Sequence, residues 1–351
     1  MKIALVGLRK DFTQNSGNGI QRYIFELYRN LKVLINGDIR KIGFKQIKFV
    51  GDITSFMLGS LIENYNGYDI IHNPTQIRLF KPKILMNSIL ISTAHEFRPI
   101  LYPEYAITGT AAMKDKIWLK FVAEPALKYI LSSDYLFANS TQTRDEAIML
   151  GFNKKKILVI NHGIDKRFTK VRHEKNHIKN NFKIGYVGAL KESKNISFAI
   201  AAFNLIERKD ISFEIYGNGP DLNSLYSHIK NWNVIFKGFA PEKKLLKIYD
   251  SFDIFVAPSK YEGFGLPILE AQSRGLPVII YKYGKIPKEV RKYCIEAESP
   301  EHMAQIIENI KENGYNEKLR KKATAYARSF TWEKCARETL KAYKLVISNE
   351  N

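Results

Sequence analysis

Two glutamates, Glu262 and Glu270, flank a glycine turn in the second half of the chain. The apolar run at residues 253–257 precedes them and is typical of a buried strand, whereas the apolar residues after the turn have helical spacing. Gly263 and Gly265 lie in the turn and lack a Cβ, so the backbone there can approach a ligand closely. The stretch therefore predicts a strand, a turn and a helix N-terminus, whose unpaired backbone N–H groups bind anions.

The two acids restrict the kind of anion that this turn can bind. Two carboxylates would repel a simple phosphate, but a ligand that carries hydroxyl groups beside its phosphates would donate hydrogen bonds to them. The residues therefore predict a sugar joined to a nucleoside diphosphate. The alternative is a Rossmann-like turn between a strand and a helix, with an incidental pair of glutamates.

Residues 262–271 resemble the E-x7-E motif, within E-G-F-G-L-P-x-x-E-A, of the retaining GT-B glycosyltransferases of family 4. The resemblance implies that Glu262 is catalytic, because it would bind donor-sugar hydroxyls and orient the anomeric carbon. It also implies that Glu270 binds the hydroxyls of the ribose. The implied backbone contacts to sugar and phosphates come from Gly263, Phe264, Gly265 and Leu266.

A second motif, at residues 183–195, is similar to the V-G-R-L-x-x-x-K-G motif of the same family. The resemblance implies that Lys194 binds the diphosphate and stabilises it as the leaving group. Ala189 stands where the family has an arginine, and Asn195 replaces the common glycine. With one cation fewer, the developing negative charge is less stabilised. An inactive or regulatory GT-B homologue is therefore the alternative function.

Further donor-binding positions come from the resemblance alone and lie in loops after predicted strands. Taken by itself, the segment 16–27 is a short glycine loop that a tight turn explains equally well. The positions carried over are Gly17, Gly19, Gly188, Gly238 and Phe239.

His95 lies just past a predicted buried strand, at the carboxyl strand end where active sites of this architecture occur. A lone histidine is usually structural, but this one resembles the family's histidine that faces the donor sugar, which implies a catalytic role. The loop that follows, residues 97–110, is the expected acceptor region. His162, in the segment 161–165, resembles part of a structural N-G-V-D turn and is not expected to be catalytic.

Short apolar runs alternate with helical patterns in both halves of the chain, which is typical of two parallel, doubly wound sheets. With the resemblance, this predicts an α/β protein of the GT-B fold, with two Rossmann-like domains that face each other across a cleft. The predicted strands are residues 3–6, 69–72, 89–93, 135–138, 157–160, 183–187, 212–216, 234–236, 253–257 and 277–280. The predicted helices include residues 20–34, 116–131, 141–150, 196–207, 241–251 and 301–312.

The domain boundary is placed in the charged segment 166–181, which lacks apolar periodicity and is expected to be a linker or surface loop. Residues 1–175 are predicted to form the acceptor-side domain and residues 176–330 the nucleotide-sugar-binding domain. A last helix, residues 331–351 with Thr331 as its N-cap, is expected to pack back on the first domain, as the resemblance implies.

The composition restricts the class of protein. A hydrophobic fraction of 45% over 351 residues supports two sizeable cores. The apolar start is too short for a signal peptide, no apolar run approaches the roughly 20 residues that cross a bilayer, and two cysteines form no framework. These features predict a cytoplasmic protein. Because no Asp-x-Asp triplet occurs, we expect no metal and no cofactor, only a UDP- or GDP-linked sugar as substrate.

The net charge of +20 favours anionic partners, although a well-solvated, lysine-rich surface explains it equally well. The basic residues are dispersed and no RNA or DNA motif occurs, so a nucleic-acid-binding Rossmann protein is the less favoured alternative. The basic, aromatic segment 116–131 either contacts an anionic membrane at its inner face or is a helix packed on the sheet. By analogy with the resembled family, the expected acceptor is a glycan or a lipid-linked glycan.

Overall fold

The computed structural model describes residues 1–13, 19–35, 39–45, 60, 63–76, 88–105, 120–121, 124–170 and 181–350. The strands in these ranges are β1 Ile3–Leu8, β2 Ile39–Phe44, β3 Ile70–Asn73, β4 Ile89–Ala94, β5 Tyr135–Ala138, β6 Ile157–Val159, β7 Phe182–Val187, β8 Ile211–Tyr216, β9 Val234–Gly238, β10 Ile254–Ala257, β11 Val278–Tyr281 and β12 Ile295–Ala297. The α-helices are α1 Gly19–Leu34, α2 Arg98–Leu101, α3 Glu124–Ile130, α4 Thr141–Met149, α5 Ile196–Asn204, α6 Leu222–Ser227, α7 Leu245–Ser251, α8 Leu266–Ser273, α9 Lys288–Arg291, α10 Pro300–Asn313, α11 Glu317–Arg328 and α12 Trp332–Glu350.

The chain divides into two compact units, each built on one parallel sheet. The first unit comprises Met1–Leu101, Ile117–Gly163 and Phe330–Asn351, and the second comprises Tyr102–Lys116 and Ile164–Ser329. Within the described residues each sheet has six strands, in the orders β2-β1-β3-β4-β5-β6 and β12-β11-β10-β7-β8-β9. All neighbouring strands are parallel. The predicted pair of doubly wound sheets is confirmed.

The strands form where the sequence is continuously apolar, since a parallel sheet is covered on both faces. Every residue of β1, β3, β5 and β10 is buried. All ten predicted strands occur, with ends that differ by at most two residues. Two strands, β2 and β12, were not predicted. Each is one of the two edge strands of its sheet, and β2 exposes Arg40 and Lys41, so neither has the apolar run that marks a central strand.

The helices differ more from their predictions. The first turn expected at residues 241–251 is a 3-10 helix, Glu242–Lys244, and α7 begins only after it. The helix α11 was not predicted. Of the helix expected at residues 116–131, α3 is described, whereas residues 116–119 and 122–123 lie outside the described ranges. Thr331 Oγ1 accepts a hydrogen bond from Lys334 N at 3.1 Å, as an N-cap does.

The segment expected to be a linker begins with an ordered turn. The 3-10 helix Lys166–Thr169 buries Phe168 completely, and its ring packs edge-on against Tyr249 at 5.5 Å. Arg274 donates a hydrogen bond to Phe168 O at 3.2 Å. This turn is therefore part of the core of the second unit, and residues 171–180 lie outside the described ranges.

A buried chain of hydrogen bonds joins four elements of the first unit. The Tyr343 hydroxyl on α12 lies 2.6 Å from His72 Nδ1 on β3, and His72 Nε2 lies 2.7 Å from Thr93 Oγ1 on β4. The Tyr23 hydroxyl on α1 lies 3.1 Å from the same Thr93 oxygen. The helix α12 therefore packs on α1 and is also fixed to the sheet through polar groups removed from water.

Three buried histidines of this unit stay neutral because the interior disfavours their charged form. Burial, together with a smaller effect of the neighbouring His95, lowers the pKa of His72 to about 3. Burial also lowers the pKa of His95 to about 4, although its hydrogen bond to Pro74 and the charge of Glu96 oppose this. Burial and His95 together hold the pKa of His162 well below its usual value.

We therefore expect the protein to lose stability as the pH falls below about 6.5. In the unfolded chain these histidines bind protons near pH 6.5, whereas in the folded chain they stay neutral until a much lower pH. The free energy of unfolding therefore falls between pH 7.5 and pH 5. For His72 alone the loss is about 2 kcal/mol. Urea denaturation of His72→Gln at both pH values should show a smaller pH-dependent loss than the wild type. His228→Gln, at an exposed position, is the control, and equal losses in both variants would contradict the assignment.

Candidate active site

The second sheet has a topological switch point between β7 and β10. The chain winds away from this point in opposite directions on the two sides, so the loops after β7 and β10 open a crevice at the carboxyl edge. The sequence places both predicted motifs in these two loops, which are residues 188–195 and 258–265.

Hydrogen bonds tie the two loops together. Lys260 N donates to Ser193 O at 2.9 Å, and Asn195 Nδ2 donates to Pro258 O at 3.1 Å. Asn195 has φ 53° and ψ 41°, in the left-handed region that asparagine tolerates better than other side chains. This explains how Asn195 can replace the glycine of the resembled motif. It also places the preceding residue, Lys194, opposite the second loop.

Lys194 and Glu262 form an ion pair between the loops. Lys194 Nζ lies 2.6 Å from Glu262 Oε2, and the two side chains are 19% and 11% exposed. The Ser259 hydroxyl donates to Glu262 Oε1 at 2.6 Å, and Glu262 N donates to Lys285 O at 2.9 Å. Burial alone would raise the pKa of Glu262, but the charge and hydrogen bond of Lys194 and the hydrogen bond of Ser259 lower it overall. Glu262 is therefore ionised at neutral pH.

The glycine turn leads into α8 as predicted. Gly265, the N-cap, has φ 99°, and a Cβ there would lie 3.2 Å from Val290 Cγ2. The N-cap supplies no side-chain hydrogen bond, so the first N–H groups of α8 are not capped by its side chain. The side chains of Phe264 and Leu266 are buried, and Gly263 is half-buried. These four positions can meet a ligand mainly through their backbone.

Glu270 lies inside α8 and is 3% exposed. Its Oε2 accepts a hydrogen bond of 2.8 Å from the Tyr249 hydroxyl on α7. Sequence reasoning missed Tyr249 and Ser259 as partners of the two glutamates. Tyr249 is 21 residues away in the sequence, and no local pattern connects the two. Ser259 is three residues before Glu262, a spacing that a turn makes close, and this was an available signal.

The loops after β7 and β8 pack backbone against backbone. A Cβ on Gly217 would lie 1.8 Å from Gly188 O, and a Cβ on Gly219 would lie 1.9 Å from Leu190 O. The predicted donor-binding residue Gly188 is therefore positioned by glycines of the next loop. Gly238 ends β9 with φ 69°, and Phe239 beyond it is 64% exposed.

Ala189 is exposed where the resembled family has an arginine. The buried Tyr186 ring lies under this loop and its hydroxyl donates to Ala189 O at 2.8 Å. Burial raises the pKa of Tyr186, and the charge of Glu262 raises it further. Tyr186 therefore supports the loop as a neutral hydroxyl.

The remaining predicted site residues lie in the first unit. His95 follows β4, is 5% exposed and packs edge-on against Tyr23 at 5.2 Å. His162 stacks on the same Tyr23 ring, and the two ring centroids lie 4.6 Å apart. Gly19 is the first residue of α1, and a Cβ there would meet no atom of the described residues within 4 Å. Gly17 lies outside the described ranges.

The expected acceptor loop is described only as far as Tyr105. Tyr102 belongs to the second unit, where its ring centroid lies 5.6 Å from that of Tyr261. Lys285 Nζ lies 4.6 Å from the centroid of the same Tyr102 ring. This aromatic contact borders Glu262, which directly follows Tyr261.

Both cysteines are free. Among the residues that the structure describes, no group of three or more histidine, cysteine, aspartate or glutamate side chains could hold a metal ion. The helices in those ranges include none that is both long and apolar enough to span a bilayer.

Residues 168–330 match the sequence profile of the family described as Glycosyl transferases group 1. The match covers slightly less than half of the chain, nearly all of it within the second unit. The chain is 30% identical over 174 residues to the O-antigen chain mannosyltransferase B of Escherichia coli, a match that covers 46% of this chain and 45% of the relative. It thus spans about half the length of that relative. A longer match, 25% identical, covers 86% of the chain and 82% of an uncharacterized glycosyltransferase of Methanocaldococcus jannaschii.

Solved structures extend the likeness to the whole fold. Sucrose-phosphate synthase from Thermosynechococcus elongatus superposes with a TM-score of 0.75 at 18% identity, over 99% of both chains. Anabaena HepE in complex with UDP and glucose superposes with a TM-score of 0.69 at 18% identity, over 98% of this chain and 99% of its own. With the two six-stranded parallel sheets of the described residues, these matches confirm the predicted Rossmann-like GT-B fold.

The ion pair generates a testable prediction. Lys194→Met should destabilise the protein by about 3 kcal/mol, because it leaves the Glu262 carboxylate buried without its cation. The double variant Lys194→Met/Glu262→Gln should recover most of this loss, because it removes the uncompensated charge. Urea denaturation at pH 7.5 measures both.

Lys260→Met is the matched control for this prediction. It breaks the exposed pair that Lys260 forms with Glu192 across the same two loops, and exposed pairs contribute at most about 1 kcal/mol. A loss in Lys194→Met no larger than in this control would show that the pair does not hold the loops together.

Proposed function

We propose that the protein is a retaining, metal-independent hexosyltransferase that uses a UDP- or GDP-linked sugar and a glycan or lipid-linked acceptor. The observation that carries the proposal is the Lys194–Glu262 ion pair, at the switch point and next to a helix whose N-cap offers no side chain. A cation, the N-terminus of α8 and a carboxylate thus occupy one edge of the sheet. This combination suits a ligand with both phosphates and sugar hydroxyls.

The diphosphate would bind to the N-terminus of α8 and to Lys194. An ammonium group has three N–H donors, and the hydrogen bond to Glu262 uses one of them. Lys194 can therefore donate to a phosphate oxygen without leaving Glu262. As the bond to the sugar breaks, negative charge grows on the leaving phosphate, and these fixed donors stabilise it.

Glu262 would accept hydrogen bonds from the donor sugar. Lys194 and Ser259 each bond to one of its two oxygens. The same two partners hold the carboxylate in one orientation. This makes Glu262 a preorganised acceptor that can orient the anomeric carbon. Glu270 would accept from the ribose hydroxyls in the same way, held by Tyr249.

In the first unit, His95 is the proposed sugar contact, and Gly17 and Gly19 are proposed as further donor contacts. Gly188, Gly238 and Phe239 are proposed to line the nucleotide. The nucleotide in the HepE complex supports a UDP-linked donor, and the E. coli O-antigen chain mannosyltransferase supports a glycan acceptor. Retention and membership of family 4 rest on the E-x7-E resemblance. Because Lys194 replaces a metal in this proposal, EDTA should leave the activity unchanged.

Glu270→Gln tests the nucleotide site. It should weaken UDP or GDP binding by about tenfold, measured by titration calorimetry, because a neutral amide makes weaker hydrogen bonds to the ribose than a carboxylate. Glu214→Gln is the matched control. Glu214 is a buried carboxylate like Glu270, but it lies within β8 and pairs with Lys183 at 3.0 Å. Equal affinities in the two variants would remove Glu270 from the site.

A panel of UDP- and GDP-hexoses, assayed for release of the nucleotide, separates the proposed functions. Nucleotide release that Lys194→Ala slows, with little change in donor affinity, supports the transferase. Tight nucleotide-sugar binding without turnover would instead identify the regulatory homologue that Ala189 suggests. Steep salt-dependent binding to random oligonucleotides, without binding of any nucleotide sugar, would identify a nucleic-acid-binding protein.

A further inference from the structure

Gln76 has an unusual backbone conformation close to His95. It follows β3 by three residues and has φ 59°, in the left-handed region. Few residues other than glycine, asparagine and aspartate adopt this region, and doing so is strained. Such strain persists only where the surroundings impose it, so the contacts of Gln76 are informative.

The side-chain amide of Gln76 bonds to the backbone of the loop after β4 at two points. Its Oε1 accepts from His95 N at 3.0 Å, and its Nε2 donates to Glu96 O at 2.5 Å. Gln76 thus ties the segment after β3 to the backbone that follows β4.

Two further hydrogen bonds fix His95. Asn139 Nδ2 donates to His95 O at 2.9 Å, and His95 Nε2 lies 2.8 Å from Pro74 O. A carbonyl oxygen can only accept, so Nε2 carries the proton and Nδ1 is an acceptor. Nδ1 is buried and has no hydrogen-bond partner among the residues that the structure describes. A buried acceptor without a donor is unfavourable, which a ligand hydroxyl would correct.

We propose that Gln76 is a positioning residue, which holds the turn at Pro74 against His95 so that His95 Nδ1 accepts a hydrogen bond from a substrate hydroxyl. That the substrate is a nucleotide sugar rests on the proposed function. Gln76 joins the turn that carries Pro74 O to the backbone of His95. These two segments must keep their relative position for the His95 ring to stay protonated at Nε2. The side chain that joins them belongs to the strained residue itself.

Two variants separate this role from a merely structural one. Gln76→Gly removes the amide but relieves the backbone strain, so the melting temperature should change little. Gln76→Asn keeps a residue that tolerates the left-handed region, but its amide is one methylene too short to reach the loop. Gln142→Ala is the control, because Gln142 also uses its amide within the first unit, in a hydrogen bond to Glu146 on α4.

The first measurement is the imidazole spectrum of protein with 15N-labelled histidine, with the His95 signals assigned from His95→Gln. The wild type and Gln142→Ala should show an Nε2-protonated, Nδ1-unprotonated ring. In Gln76→Gly and Gln76→Asn, the two nitrogen shifts should move towards each other as the tautomers interconvert. Unchanged shifts in both folded Gln76 variants would overturn the proposal.

The second measurement is turnover of UDP-glucose and of the other nucleotide hexoses as probes. We expect kcat to fall about tenfold in both Gln76 variants, while the affinity for UDP alone stays within twofold of the wild type. A wild-type kcat in these variants would overturn the positioning role. If the wild type itself turned over no nucleotide sugar, the proposed function would fail, and the imidazole spectrum would still decide the role of Gln76.

Discussion

The buried charge of Glu262 is the constraint on which the candidate site depends. A carboxylate that is removed from water must be compensated, and Glu262 receives its cation, Lys194, from a loop that is distant in sequence. The pair therefore fixes the loop after β7 against the loop after β10. It also places a lysine and an oriented carboxylate together at the switch point, where the donor is proposed to bind.

A second constraint is steric and concerns the backbone. The loops after β7 and β8 approach so closely that Gly217 and Gly219 leave no room for a Cβ. Gly265 combines a positive φ with close packing against Val290. Side chains at these positions would push the loops apart. The site is therefore built largely from backbone groups, and its few functional side chains are held by hydrogen bonds to neighbouring loops.

The buried histidines of the first unit are neutral rather than charged. His72, His95 and His162 are buried and have lowered pKa values because the interior disfavours their charged forms. The His72 chain fixes the last helix to the sheet, whereas His95 ends the sheet with an acceptor whose tautomer Pro74 determines. The same polar interior thus fixes the last helix through His72 and holds His95, the proposed sugar contact.

The sequence by itself determined the central strands, the turn from strand to α8 and the positions of Glu262, Glu270 and Lys194, because apolar runs, glycines and a contiguous motif are local signals. It did not reveal the edge strand β2, whose exposed face is charged. Only the tertiary structure decided that Lys194 pairs with Glu262, that Tyr249 holds Glu270 and that Gln76 reaches His95. These contacts join residues that are far apart in the chain, and only the order of the strands in a sheet brings them together.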